Sequence, residues 1–474
     1  MATPTADSYS AAAGVVIYGG LPAPLAPAPA WSVAAGSVTA VGYTSGTHPL
    51  GYPATLYDID PGAQIWNPEY GFGAGPWIGR GYYWGSYMAY SGAAWCETQE
   101  LYVMWGTGHA SICVPGITAF SAVKRSWSWI CVPPPSDGLT KLANGVPPYA
   151  ANIAAVYPAE QYNTEWGEWQ GGWSGWPAAL RQPGKIFPET THSRTGLAWV
   201  PGYAAGNTNG VILFVINPAG QNQGSDGRAD HYFDLDTNSF LRCANHRRDN
   251  NNRCGGVVWF GGSVNRSFAL TAGTQGQSAP IDIWHPGTKT WSTPQPSLMS
   301  PGLDGDSAPM GAHLSSGLLM LFIAADAAGA SPSYPGVKHV IFAQDAAAAA
   351  AGTATAWTAL SVTATSWPLS YGNNIAKRGW GLCPVNGCFY AVNGVQGSTT
   401  LWKLSPPVGA TTLAQYLNGT WSITTETLSA ALDNGGQSAD HVYNKLQWAT
   451  ARNCFLYVGD NVIARVQAIR PNGV

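Results

Sequence analysis

"PIDIWHPGTKTWSTP", residues 280–294, is a hydrophobic strand, a short Gly-containing polar turn and a closing aromatic, Trp291. Pro, Gly and Thr-Lys between two apolar stretches are turn chemistry, so the segment is expected to fold back as a β-hairpin. The same phrase recurs as "GITAFSAVKRSWSWICV" from Gly116, "DHYFDLDTNSFLRC" from Asp230, "HVIFAQDAAAAAAGTATAWTAL" from His339 and "TTLWKLSPPVGATTLAQYLNGTWSI" from Thr399. Closing aromatics fall at Trp129, Phe240, Trp291, Trp357 and Trp421. Their intervals fit repeats of about fifty residues with loop insertions, apart from a surplus between Trp129 and Phe240.

Two further strand candidates precede each of the last four phrases: "GLAWVPGYAAGNTNGVILFVI", "GVVWFGGSVNRSFALTAG", "GAHLSSGLLMLFIA" and "RGWGLCPVNGCFYAVNG". Two hairpins per repeat make a four-stranded blade. A last unit from His441, "HVYNKLQWATARNCFLYVGDNVIARVQAI", supplies three strands, and "AWSVAAGSVTAVGY" near the start supplies the fourth, the ring closure of propellers. The expected fold is therefore all-β, a six-bladed β-propeller whose last blade is closed by an N-terminal strand. Residues 1–30 form an arm, with an Ala/Pro spacer "LPAPLAPAPAW" that favours extended polyproline II. Residues 31–474 form the propeller, with an aromatic-rich insertion at about 138–191.

Composition agrees. In 474 residues there are 58 Gly, 35 Pro, 22 Trp and 22 Tyr against 10% charged residues, the balance of a turn-rich, aromatic β protein with little helix. A net charge of −3 without a basic stripe argues against nucleic acid, and the apolar runs are too short for a membrane span. "MATPTADSYSAAAG" has no basic n-region or apolar h-region, so no signal peptide is expected. Eight scattered cysteines without a CxxC pair suit buried thiols, although Cys383 and Cys388 bracket the turn "PVNG" and face each other across two strands, bonded or not.

The hairpin phrases "PIDIWHPGTKTWSTP" and "DHYFDLDTNSF" resemble the third-to-fourth strand of kelch repeats, the propeller family that includes the galactose oxidase fold. The double glycine of an ideal kelch unit survives only as "FGGS" at Phe260. The copper chemistry of galactose oxidase would need a cysteine cross-linked to a tyrosine, and no cysteine here takes that place. The opening "TPTADSYSAAAGVVIYGG", joined through the Pro spacer to such a body, resembles bacteriophage tail-associated proteins.

Few residues announce chemistry. His192, His313 and His441 stand at comparable places in their blades; backbone hydrogen bonds to a neighbouring blade explain such a repeat better than metal ligation. Asp234 and Asp304 begin fragments of calcium-loop sequence that turn chemistry explains. Glu165 and Glu168 are the carboxylates a glycosidase would need, but they lie in a glycine-rich stretch poorly suited to hold them. That stretch, "EWGEWQGGWSGW" at 165–176, carries Trp166, Trp169, Trp173 and Trp176 and reads as an aromatic loop. A second patch from Glu69 carries Trp77, Tyr82, Tyr83 and Trp84. Aromatics with few charges make interface cores and also sugar platforms.

The sequence leads to a non-enzymatic virion protein, a bacteriophage tail component (nozzle, fibre or receptor-binding part) made in the host cytoplasm and assembled through its arm and aromatic loops. Its expected partners are other tail proteins, copies of itself in a symmetric oligomer and a host surface polysaccharide; no cofactor, metal or catalytic residue is assigned. The alternative is a carbohydrate-binding or carbohydrate-active propeller with the Trp-rich loop as its platform.

Overall fold

The computed structural model describes residues 6–7, 17–18, 31–41, 91–105, 117–131, 162–163, 168–171, 183–188, 195–214, 231–245, 256–270, 281–293, 310–324, 339–354, 356–367, 379–392, 397–432, 442–459 and 466–474. Six antiparallel sheets follow one another around a ring, each starting from an inner strand that packs on the inner strands of its two neighbours. Blade 1 is Gly92–Cys96, Leu101–Trp105, Ile117–Ser121 and Ser126–Cys131; blade 2 is Leu197–Val200, Val211–Phe214, His231–Asp234 and Ser239–Arg242. Blade 3 is Val257–Phe260, Arg266–Leu270, Ile281–His285 and Thr290–Ser292; blade 4 is Met310–His313, Leu318–Ala324, His339–Asp345 and Thr358–Ala359. Blade 5 has Trp380–Cys383, Cys388–Val392, Thr400–Ser405 and Thr420–Thr427; blade 6 has Gln447–Ala449, Cys454–Val458 and Val466–Arg470. The fourth strand of blade 6 is Ser37–Ala40, paired antiparallel with Arg470 through Gln467. The six-bladed propeller closed by an N-terminal strand is thus the observed fold.

Apolar side chains on both faces of each blade fill the wedges between blades, which is where the aromatic composition goes. Between blades 1 and 2, Trp105 stacks on Phe214 at 4.5 Å; between blades 4 and 5, Phe322 stacks on Trp380 at 4.9 Å; between blades 5 and 6, Tyr390 meets Phe455 at 5.6 Å. Such pairs add to what their buried area already contributes. The closing aromatics Phe240, Trp291 and Trp421 are buried, and Trp357 is half-buried. In blade 1 the buried aromatic on the outer strand is Trp127, two residues before the expected Trp129, whose side chain lies outside the described residues.

Among the described residues α-helix is confined to turns, α1 (Gly202–Ala205), α2 (Ala346–Ala350) and α3 (Leu413–Asn418), with a 3-10 turn at Thr450–Arg452. Asp345 caps α2 by accepting from the Ala347 N–H, and Thr412 with Gln415 forms a capping box on α3. Asp234 behaves as a turn residue, its Oδ1 accepting from the N–H groups of Asp236 and Thr237; Asp304 lies outside the described residues.

Two features depart from the sequence expectation. Blade 5 carries a fifth strand, Ser361–Ala364, which leaves blade 4 and pairs parallel with Thr420–Thr427. The stretch read as an aromatic loop contains a strand, Glu168–Gln170, in the middle of a three-stranded sheet with Tyr162–Asn163 and Ile186–Pro188. In the arm, Ala6–Asp7 pairs with Ile17–Tyr18, which lies beside the outer strand of blade 1; the spacer at 21–30 lies outside the described residues.

Candidate functional site

Antiparallel order puts the turns after every inner strand and every third strand on one face of the ring, and hydrogen bonds between them confirm that they meet there. Asn209 (blade 2) accepts from Thr98 of blade 1 at 3.3 Å, and Lys289 (blade 3) donates to the Ala205 carbonyl of blade 2. Where blade 6 meets blade 1, Glu97 accepts from the N–H groups of Thr450 and Ala451 at 3.2 and 3.0 Å, and Arg452 pairs with Glu100 at 2.5 Å. Trp31 adds to this junction: its indole donates to the Ala122 carbonyl at 2.8 Å, and Arg452 lies 5.0 Å from its ring. Arg125 donates to the carbonyl of Val41.

Farther round, the turns after the inner strands leave apolar residues in water. Tyr203 on α1 of blade 2 is 75% exposed, Leu314 of blade 4 is 53% exposed and Val385 of blade 5 is 60% exposed. Val408, on the turn between the third and fourth strands of blade 5, is fully exposed. His313 Nε2–H donates to the Gly387 carbonyl at 2.8 Å, so the turns that carry Leu314 and Val385 are neighbours. The Tyr203 hydroxyl reaches over blade 3, against Gly261. Sequence reasoning missed these residues; the available signal was an apolar residue inside a turn, in "PGYAAGN", "HLSSG" and "CPVNG".

The aromatic insertion is fixed to the outer edge of blade 2 by charge. Glu168 is buried; His231 Nε2 stands 2.7 Å from its Oε2, and the Arg242 guanidinium binds both of its oxygens. Burial pushes the Glu168 carboxyl up, but the hydrogen bonds and charges of His231 and Arg242 outweigh it and hold the group below the ordinary carboxylate value. Lys185, before the third strand of the insertion, donates to the Thr237 and Asn238 carbonyls of the blade 2 turn at 3.2 and 2.9 Å. Glu168 therefore serves as an anchor, its carboxylate committed to His231 and Arg242. Trp169 pairs in register with Phe187 and Tyr162, whereas Glu165, Trp166, Trp173 and Trp176 lie outside the described residues. Trp77, Tyr82, Tyr83 and Trp84 also lie outside them.

His313 ends the inner strand of blade 4 and spends both ring nitrogens, Nε2 on Gly387 of blade 5 and Nδ1 on the Ser316 hydroxyl at 2.5 Å. It is the blade-to-blade link expected of it; His192 and His441 lie outside the described residues. Among the described residues no group of three His, Cys, Asp or Glu side chains is placed to hold a metal ion. At the other end of the inner strands, Asn444 of blade 6 reaches over blade 1 to blade 2: its Oδ1 accepts from the Ala93 N–H at 3.0 Å and its Nδ2 donates to the Leu197 carbonyl at 2.9 Å. Lys445 beside it is buried, its carbonyl accepting from the Tyr102 hydroxyl at 2.6 Å.

No family model and no curated protein matches this sequence. Solved structures similar to it include the α-L-arabinofuranosidase Arb93A from Fusarium graminearum, at 8% identity and a TM-score of 0.43 over 82% of this chain and 95% of that one. Hydrazine synthase from Kuenenia stuttgartiensis is similar at 9% identity and a TM-score of 0.41, over 81% and 96% of the two chains. The family 74 xyloglucanase from Xanthomonas campestris is similar at 13% identity and a TM-score of 0.31, over 70% and 38%. These likenesses concern the fold and assign no activity, and they lend nothing to the kelch or phage-tail resemblance. They do correct one expectation: propellers of this outline include glycoside hydrolases, so the fold gives no ground for calling the chain a non-enzyme.

Proposed function

We propose that the chain is a kelch-like propeller that serves as a subunit of a larger assembly, docking a neighbouring protein on the face that bears its tight turns. The observation that carries this reading is the set of exposed apolar residues, Tyr203, Leu314 and Val385, at equivalent turns of three blades. Single exposed apolar residues are ordinary, but three at equivalent turns set apolar side chains at intervals around one face, where a partner spanning several blades would cover them. The low charge of the whole chain supports the same reading, because few charges guard such a face against association. The concrete form of the proposal is a bacteriophage tail component within the virion. Its support is the opening segment and Pro spacer, with the arm and the tryptophans of the 165–176 stretch as further contacts to tail proteins, to copies of the chain or to a host surface polysaccharide.

The test substitutes all three residues with serine in the full chain (Tyr203→Ser, Leu314→Ser, Val385→Ser) and measures incorporation into tailed particles, with thermal melting as the control. The expected variant melts as the parent does and is missing from particles. A variant that incorporates at the parental level overturns the docking face.

A further inference from the structure

The hairpin that carries Val385 holds two cysteines in an arrangement that no role described so far uses. Cys383 ends the inner strand of blade 5, Cys388 begins the next strand, and the two are directly opposed in the antiparallel register. Both are buried thiols, Cys383 at 0% and Cys388 at 5% exposure. Opposed residues of antiparallel strands have Cα atoms about 4.5 or 5.5 Å apart, within the roughly 4.4–6.8 Å that a disulfide spans. The intervening turn is already set: the Gly387 N–H donates to the Cys383 carbonyl and the Cys388 N–H donates to Asn386 Oδ1, each at 3.0 Å. None of the other described cysteines, Cys96, Cys131, Cys243 and Cys454, stands opposite another cysteine.

Burial pushes both thiols above their ordinary value. Backbone hydrogen bonds at Asn386 and Val385 favour the Cys383 thiolate, and the Ser405 hydroxyl, 3.7 Å from the Cys388 sulfur, favours that of Cys388. The Lys403 charge on the third strand pulls both back, while Glu426, paired with Lys403 at 3.3 Å on the fourth strand, opposes the Cys388 thiolate. Cys388 is the more open of the two, which makes it the attacking sulfur.

We propose that Cys383 and Cys388 form a dithiol–disulfide couple that staples the turn-face hairpin of blade 5 when the protein meets a low-molecular-weight disulfide such as glutathione disulfide. The Cys388 thiolate attacks one glutathione sulfur, a sulfur–sulfur bond to glutathione forms, and the first glutathione leaves as thiolate. The Cys383 thiolate then attacks Cys388, the mixed disulfide breaks, and the second glutathione leaves. Two electrons pass from the protein pair to glutathione disulfide, and the two thiol protons end on the two glutathione thiols at neutral pH. The product ties the two ends of the turn whose Gly387 carbonyl receives His313 and whose Val385 projects into solvent. This inference stands on the hairpin geometry and is independent of the proposed docking function.

The full-length protein, equilibrated with glutathione disulfide, is quenched with acid, denatured, alkylated and digested with trypsin. Peptide 379–403 contains Cys383 and Cys388 and no other cysteine, so it reports on the pair alone. The expected peptide is unalkylated and two hydrogens lighter than its reduced form, is fully alkylated after prior treatment with dithiothreitol, and forms faster as pH rises. In Cys383→Ser, Cys388 is expected to become available to alkylation once the mixed disulfide is reduced, with no lighter peptide. Recovery of the parental peptide with both sulfurs alkylated, or with glutathione left on one sulfur at equilibrium, overturns the proposal.

Discussion

The two arcs of the turn face treat their side chains differently. Where blade 6 meets blade 1, Glu97, Glu100, Arg125, Arg452 and Trp31 are spent on one another and on backbone groups. Across blades 2 to 5, Tyr203, Leu314 and Val385 stand in water. The closing blade is the one assembled from two distant segments, Ser37–Ala40 and Gln447–Arg470, joined by backbone pairing, and where it meets blade 1 side-chain bonds tie the turns together. The other arc leaves apolar side chains at its turns in water.

This contrast can be broken most severely from the closing side. Deleting residues 1–41 removes Trp31 and the outer strand of blade 6 and leaves Val466–Arg470 as a bare edge. We expect a loss of more than about 5 kcal/mol, the lower end of a whole domain's margin, seen as a low, broad melting transition. Deleting residues 1–30 spares these elements and is expected to leave melting close to parental.

Next comes Gly379, at the junction of blades 5 and 6. Its φ of +51° and the Tyr443 carbonyl oxygen, 1.2 Å from where a Cβ would stand, leave no room for a side chain. Gly379→Ala is expected to cost more than about 4 kcal/mol in chemical denaturation, because backbone must move to admit the methyl group.

Glu168→Gln tests a third kind of attachment, the charged anchor of the insertion. It removes the negative charge between His231 and Arg242 and is expected to cost about 2 kcal/mol, with faster proteolysis within 162–188. Its pH dependence has a definite sign. With the folded carboxyl below its ordinary value, the anchor's contribution is present above about pH 4.3, the ordinary glutamate value, and is lost as pH falls through the lower folded value. The parent is therefore expected to lose its stability advantage over Glu168→Gln in acid.

A smaller pH effect belongs to His313. Burial holds its pKa below the ordinary histidine value, and the hydrogen bond to Gly387 opposes this only in part. The folded state therefore binds fewer protons than the unfolded one. Its contribution is complete above about pH 6.5 and is lost as pH falls through the lower folded value, so His313→Gln should flatten the parental change in melting temperature between these limits. The smallest effect is expected on the open arc, where the triple serine variant should melt within about 0.5 kcal/mol per site of the parent and still lose its partner.

The blades were legible because a propeller is built from local hairpins. Strand, turn and closing aromatic lie within a few residues of one another in "DHYFDLDTNSFLRC" and "PIDIWHPGTKTWSTP", and both formed as expected. The parallel strand Ser361–Ala364 was not legible, since it pairs with residues far along the chain and its own sequence, "SVTA", carries no turn beside it. The Glu168 anchor was hidden for the same reason, because His231 and Arg242 are remote in sequence and nothing in "EWGEWQ" indicates them. The exposed turn residues were invisible in another way: apolar residues suggest burial, and only the fold shows which turns end in water.

The closing strand also sets a timetable. Ser37–Ala40 is synthesised before all five of the intervening blades, and its partner Val466–Arg470 after them. Those blades can gather while the segment that will complete the circle waits without its partner. A pairing of such long range is slow to form, so a chaperone or a nascent neighbour that shields residues 37–40 would act on the rate of ring closure rather than on the stability of the finished ring.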